Sequence, residues 1–317
     1  MDTTASVSSP FIEGTYIQYA WDSTSLNALK RCPRYYYYEI ICGYQPKSES
    51  IHLRFGIEYH SALQDYDVFI SEGLSRTDAI RQVVRNILIR TDGWVVDRET
   101  KAGRYKNRDT LLSLVIDYLD YFQNDPAETY ILESGKPAVE LSFRFELDWG
   151  PTPEQPYLLC GHLDKVVSFG GELFTLDRKT TTSTLGTQYF KQWDPHNQMT
   201  LYTLAGRVVL ESNIRGVMVE AAQVMLEKEP NRFVRDVTYR TQDQLDEWLR
   251  DLEYHLNQAE AYAMAEYWPM NDTSCDKFGG CRYREVCSKN PSVRDQFLGA
   301  DFHQLPPEER WNPLKSR

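Results

Sequence analysis

The sequence predicts an α/β chain in which a short sheet carries the chemistry and helices precede and follow it. Three observations predict this. Residues 139–147 alternate with period two, placing Val139, Leu141, Phe143, Phe145 and Leu147 on one face and Glu140 on the other. Residues 173–180 do the same, with Asp177 and Lys179 on one face and Phe174, Leu176 and Arg178 on the other. Ahead of these strands, apolar residues recur at helical spacing over residues 53–70 and 111–122. Two strands ending in carboxylates, with a lysine beside one of them, make a seat for a divalent metal and a phosphate.

A chain of 317 residues with 41% hydrophobic and 13% aromatic content buries a substantial core and is not a disordered chain. No apolar run reaches membrane-spanning length, and the N-terminus lacks the basic and apolar stretches of a secretion signal. The expectation is an intracellular, cytoplasmic protein that does not engage a membrane. The net charge of −11 runs against a simple nucleic-acid binder. Carboxylate ligands add to that charge, however, and Arg76, Arg81, Arg85 and Arg90, then Lys101, Arg104, Lys106 and Arg108, concentrate positive charge ahead of the core.

Taken in order, residues 1–20 read as an irregular lead-in, and Ser23 or Ser25 caps a short helix carrying Leu26, Leu29 and Cys32. Cys32-Pro33-Arg34 is followed by four consecutive tyrosines, which as a group read as packing area more readily than as a base-stacking surface. The helix over residues 53–70 buries Phe55, Tyr59, Leu63, Tyr66 and Ile70, with His60 one position off that stripe. Ser75 and Asp78 start another helix, with Ile80, Val83, Val84, Ile87 and Leu88 as its apolar stripe, and residues 93–107 read as a connection. After the strand bearing Asp164 comes the Asp177–Lys179 strand, then a Ser/Thr-rich loop. A helix near Pro195 then places Gln198 and Tyr202 on one face by i,i+4 spacing. Residues 214–226 and 233–239 read as further strands, and Thr241 with Gln244 opens a long helix through Leu245, Trp248, Leu252 and Leu256.

Gly161–Asp164, Asp177–Lys179 and Gln198–Tyr202, in this order on consecutive elements, resemble the PD-(D/E)XK nuclease superfamily, and within it the RecB-type and Cas4-like iron-sulfur exonucleases. The resemblance implies a restriction-endonuclease-like core with a helical insertion. It also implies a Mg²⁺- or Mn²⁺-dependent DNA exonuclease. Gly56-x-x-x-His60 is similar to the family's first motif, whose histidine reaches the metal from a helix ahead of the sheet. The implied metal ligands are His60, Asp164 and Asp177, with the Arg178 carbonyl as a further one. Lys179 is the implied catalytic cation, with Glu140, Gln198 and Tyr202 in support. By itself Glu140 reads as a solvated edge-strand charge, and Gln198 and Tyr202 as part of a structural helix.

Cys275, Cys281 and Cys287 have five residues in each gap between them and bind zinc if a fourth ligand joins them. The resemblance supplies Cys32 as that ligand and implies a [4Fe–4S] cluster in place of zinc. The five-residue gap after Cys275, where the family commonly has two, departs from the pattern. Cys42 and Cys160 lie outside the set. The expected layout is an N-terminal segment (residues 1–52) with the first cysteine, a helical region (53–136) bearing His60, the nuclease core (137–240), a C-terminal helix with the cysteine cluster (241–290) and a tail (291–317). DNA is the expected partner, with a separate helicase, recombination or CRISPR-adaptation protein beside it, since no Walker motif is present. The same residues also fit a DNA-end-binding or helicase-partner module with a weak nuclease site, or a cysteine-rich redox or structural protein.

Overall fold

The computed structural model describes residues 9–226 and 229–315. Its helices, in chain order, are α1 (Ser23–Arg31), α2 (Pro33–Tyr36), α3 (Ile51–Ser71), α4 (Arg76–Arg90), α5 (Lys101–Tyr105), α6 (Arg108–Tyr121), α7 (Thr187–Phe190), α8 (Asn197–Leu210), α9 (Gln242–Met264), α10 (Arg284–Ser288) and α11 (Arg294–Asp301). Its strands are β1 (Ala20–Trp21), β2 (Tyr44–Pro46), β3 (Glu128–Thr129), β4 (Val139–Glu146), β5 (Leu158–Phe169), β6 (Glu172–Thr181), β7 (Ile214–Gln223), β8 (Arg232–Tyr239) and β9 (Phe302–Gln304). The chain forms two compact units, each assembled from separated segments: Ser50–Leu141 with His162–Thr241, and the described residues of Met1–Glu49, Ser142–Gly161 and Gln242–Arg317.

In the first of these units β6 is the central strand. It pairs antiparallel with β5 (Lys165 opposite Leu176) and parallel with β7 (Asp177 opposite Val219, Lys179 opposite Ala221), and β7 continues antiparallel into β8. A parallel β6–β7 pair requires a crossover, which α7 and α8 supply. The helices start where side chains accept the free backbone N–H groups: Ser50 from Leu53, Ser75 from Asp78, and Asn107 from Asp109 and Thr110. Phe55, Tyr59, Ala62 and Leu63 of α3 pack with Val83 and Ile87 of α4, with Leu111, Leu114, Val115 and Tyr118 of α6, and with Ala222, Val224 and Phe233. Each large apolar side chain so buried contributes about 1.5–3 kcal/mol. The buried stripe of α3 ends earlier than its periodicity predicts, because Ile70 is 40% exposed. Residues 101–105, which read as part of a connection, form a short helix, and a second short helix spans residues 187–190.

In the second unit α1 is capped by Asp22, not by a serine; Ser25 completes the capping box from the third helical position. Cys32 has extended backbone (φ −168°), so it ends α1, and Pro33 opens α2 at the position where its missing N–H costs nothing. The tyrosines are packing residues. Tyr36 stacks on Trp21 and donates to Gln18 Oε1 at 2.7 Å, Tyr37 stacks on Trp268, and Tyr35 and Tyr38 both meet Tyr283. The C-terminal stretch docks here as well, with β9 pairing antiparallel to β2. Gly161 is a glycine for a local reason: a Cβ there would lie 2.6 Å from the Phe143 ring. No helix among the described residues is long and apolar enough to cross a membrane.

Candidate metal centre

His60 on α3, Glu140 on β4 and Asp164 on β5 bring ligand atoms within 4.8 Å of one another, the only such group of three among the described residues. His60 Nδ1 lies 3.3 Å from Asp164 Oδ2, and the same oxygen accepts the Arg178 backbone N–H at 2.9 Å. This second contact shows how the site is built. The β5–β6 ladder runs from Phe169 opposite Glu172 to Lys165 opposite Leu176, and beyond that pair the Asp164 carboxylate takes the strand N–H that a backbone carbonyl would otherwise take. Glu140, a member of the group, has a left-handed backbone (φ +48°), a conformation that is costly for a glutamate and departs from regular strand geometry at the start of β4.

Asp177 and Lys179 share a face of β6, as their spacing requires. Lys179 Nζ pairs with Asp177 Oδ2 at 2.6 Å and donates to Gln198 Oε1 at 3.2 Å, and Gln198 Nε2 donates to the Tyr202 hydroxyl at 2.9 Å. The Trp193 ring lies 5.4 Å beneath the same amine. Asp164 is 5% exposed and Asp177 2%. Burial pushes both carboxyls up. At Asp164 the His60 and Lys179 cations and the Arg178 N–H reverse that, holding it well below the usual range. At Asp177 burial wins with the help of Asp164's charge, so its pKa is raised despite Lys179. Burial lowers the His60 pKa, but Asp164 more than offsets this and raises it. Two buried carboxylates that cannot both ionise freely, beside a third carboxylate and an imidazole, form a site short of positive charge. That donor set of carboxylate oxygens and one imidazole nitrogen suits Mg²⁺ or Mn²⁺.

The structure therefore gathers His60, Glu140 and Asp164, with Asp177 beside them but engaged by Lys179. It also adds residues that local patterning did not single out. The Arg178 side chain, 2% exposed, points to the opposite face of β6, where it reaches Asp67 at 2.9 Å and Glu220 at 3.6 Å. Asp67 also holds Lys165 at 2.8 Å, and these two cations overcome burial to keep the Asp67 pKa low. Glu220 accepts from Tyr118 at 2.7 Å and pairs with Arg235, which in turn holds Asp125. A signal for part of this existed: Asp67 is seven residues from His60 on α3 and so shares its face. Tyr189, its phenol pushed to about 12 by burial and by Asp177's charge, also borders the site.

In the other unit Cys32, Cys275, Cys281 and Cys287 line one small cavity, together with Arg31, Asn271, Tyr283 and Arg284. Cys42 and Cys160 are not among its lining residues. The longer gap after Cys275 is taken up by a turn in which Gly279 (φ +81°) and Gly280 (φ +103°) adopt glycine-only conformations, so that the Cys281 N–H donates back to the Cys275 carbonyl at 2.8 Å. No three of the sulfurs fall within 4.8 Å of one another. Asn271 N–H donates to Cys32 Sγ at 3.3 Å, whereas Arg31 keeps Nε and one terminal nitrogen buried without a hydrogen-bond partner among the described residues.

Comparison with known proteins adds a family and a fold. The PD-(D/E)XK nuclease superfamily profile matches residues 21–288. No curated protein matches the chain. A crystal structure from Eubacterium rectale, of a protein whose exonuclease role is an assignment only, superposes with a TM-score of 0.50 at 14% identity, covering 89% of this chain and 94% of that one. At that identity the likeness concerns fold alone. The crystal structure of SSO0001 aligns at 15% identity over 74% of each chain, with a TM-score of 0.27 that carries no argument.

Proposed function

This chain belongs to the PD-(D/E)XK nuclease superfamily, and we propose that it is a metal-dependent exonuclease acting on DNA ends. The observation that carries the reading is the convergence of His60, Glu140 and Asp164 beside the Asp177–Lys179 pair. His60, Glu140 and Asp164 would hold Mg²⁺ or Mn²⁺, with Asp177 joining them as it exchanges Lys179 for the metal. The metal, when bound, supplies positive charge to the phosphodiester and acidifies water. Lys179 then orients the attacking water or stabilises the charge that builds on phosphate, and Gln198 and Tyr202 hold its amine in place. The fold of the site, acidic ligands backed by a fixed lysine, is what phosphodiester hydrolysis needs, and a redox or purely structural role leaves it unexplained. Such a nuclease fits the cytoplasm and work beside a separate helicase or recombination partner.

We further infer a [4Fe–4S] cluster at the four cysteines. Two features support it over zinc. Sulfurs bound to one zinc at about 2.3 Å all lie close together, whereas no three of these sulfurs come within 4.8 Å of one another, and a cluster spreads its thiolates. The buried, unpartnered Arg31 nitrogens match the excess negative charge of thiolate-held iron–sulfur. The cysteines would then tie the N-terminal and C-terminal segments of their unit together and make cofactor binding part of its folding free energy.

The test is a time course on end-labelled single-stranded and duplex DNA, with closed circles as controls, in Mg²⁺, Mn²⁺ or chelator. Metal-dependent release of nucleotides from ends supports the reading. Degradation of the circles overturns the exonuclease assignment, and no cleavage in either metal overturns the nuclease. Iron and sulfide analysis of the same preparation tests the cluster; stoichiometric zinc without either element rejects it.

A further inference from the structure

Lys179 Nζ stands 5.4 Å from the centre of the Trp193 ring, and the same tryptophan lines a cavity of about 140 Å³ that the proposed metal chemistry does not use. Phe190, Lys191 and Trp193 of the β6–β7 crossover meet Val219, Asp236 and Thr238 of the sheet there. Strand register fixes where this cavity lies. Asp177 on β6 is opposite Val219 on β7, and Val219 is opposite Asp236 on β8, so the three side chains share one face of the sheet. Neighbouring strands run about 4.8 Å apart, so the cavity begins one strand away from Asp177. It adjoins the candidate metal centre on the face that carries Asp177 and Lys179.

Trp193 is held in place. Its carbonyl accepts from Arg240 at 3.1 Å and from Thr238 Oγ1 at 3.3 Å, and Arg240 also holds Asp194 and Thr200. The Tyr189 and His196 rings meet the indole in T-shaped contacts at 6.3 and 4.9 Å. The indole Nε1, by contrast, is buried with no hydrogen-bond partner among the described residues, although a buried tryptophan N–H normally finds one. The cavity thus joins aromatic and aliphatic walls to an unused donor and, at its rim, the exposed carboxylate of Asp236. A flat heterocycle with polar groups on its edge matches that set. A phosphate does not, because Asp194 and Asp236 both border the space. We propose that this cavity takes an unstacked nucleobase from the nucleotide next to the scissile phosphate, with Trp193 as its stacking wall. The proposal rests on the nuclease reading above and adds the substrate class to it. A base reaches the cavity only after leaving its stack, so the strand is bound single-stranded or frayed at its end.

The experiment compares wild type, Trp193→Ala and Trp193→Phe on end-labelled single strands in Mg²⁺, each strand carrying one abasic tetrahydrofuran unit walked inward from the end. For wild type we expect one position, beside the scissile bond, at which the missing base raises KM about 5- to 100-fold, the worth of one stacked base. Trp193→Ala should raise KM on the intact strand by a similar factor and be indifferent to the abasic unit at that position. Trp193→Phe, which keeps a ring, should retain part of the sensitivity. A fall in kcat from losing the ring beside Lys179 is read separately, because it is the same for every strand. In single-turnover reactions a duplex end with mismatched terminal pairs should be cleaved faster than a fully paired one. A flat abasic walk with wild type, equal sensitivity of wild type and folded Trp193→Ala, or equal rates on paired and mismatched ends overturns the subsite. If circular dichroism shows Trp193→Ala unfolded, the wild-type walk and Trp193→Phe decide. If wild type cleaves no intact strand, the nuclease reading falls and the subsite with it; if it cleaves them while the walk is flat, only the subsite falls.

Discussion

Replacing Arg178 by methionine tests whether the buried ion network behind β6 holds the metal centre in shape. The guanidinium occupies one Asp67 oxygen and reaches Glu220, while its own backbone N–H holds Asp164. Without it, Asp67 keeps only Lys165 and Glu220 keeps Tyr118 and Arg235. Breaking a buried pair from one side costs about 3–5 kcal/mol. Because both acids retain a partner, the lower end applies, about 3 kcal/mol. For a unit of about 170 residues each kcal/mol moves the thermal midpoint by about 2–4 °C, so Arg178→Met should melt about 6–12 °C below wild type. Arg178→Lys, which can reach one acid but not both, should fall between them. The second effect is on metal. A methionine side chain no longer pins this stretch of β6, so the Asp164 carboxylate loses its fixed orientation and the apparent Mn²⁺ affinity should drop about 10- to 100-fold. Circular dichroism melts and a Mn²⁺ titration of cleavage read the two effects separately. In the Asp67→Asn/Arg178→Met double variant the losses should fall short of their sum by at least about 1 kcal/mol. A midpoint within about 2 °C of wild type, with unchanged metal dependence, would refute the positioning role.

Three further outcomes are expected. Asp177→Asn and Lys179→Met should remain folded and lose single-turnover cleavage by about 10²–10³-fold or more, and near-normal cleavage by folded Asp177→Asn would sink the site. The lysine variant should keep or gain metal affinity, because its amine is not a ligand and no longer competes for Asp177. Cys287→Ser should lose iron and melt early, while Cys160→Ser, a buried cysteine outside the cavity, should keep full iron content; equal iron in both would remove Cys287 from the ligand set. Lys106 gives a pH signature. With its amine at about 8 when folded and about 10.4 when unfolded, the unfolded chain binds the extra proton between those values, so stability should rise with pH across that window. Below pH about 8 the folded chain bears the whole cost, roughly 1–3 kcal/mol, and Lys106→Met should be the more stable protein there. Parallel pH profiles for wild type and Lys106→Met would refute this.

Much of the site was legible in local pattern. Period two put Asp177 and Lys179 together on β6 and sent Arg178 to the other face, and i,i+4 spacing joined Gln198 to Tyr202. Helical periodicity placed His60 beside the buried stripe of α3. These relations hold because backbone geometry repeats every few residues, so neighbours in sequence have fixed relative directions. Tertiary structure decided the rest. Glu140 reads as a solvated strand charge, yet it joins His60 and Asp164 from a residue with left-handed backbone, and no periodicity encodes that φ. Asp177 lies outside that group, and its carboxylate is paired with Lys179 instead. The Asp67–Arg178–Glu220 network and the cavity shared by Cys32 with cysteines some 240 residues away join segments whose meeting depends on strand register and core packing. The sequence by itself determined which side chains face together within each element. Which elements face each other was set by long-range contacts, whose free energy exists only once the chain is folded.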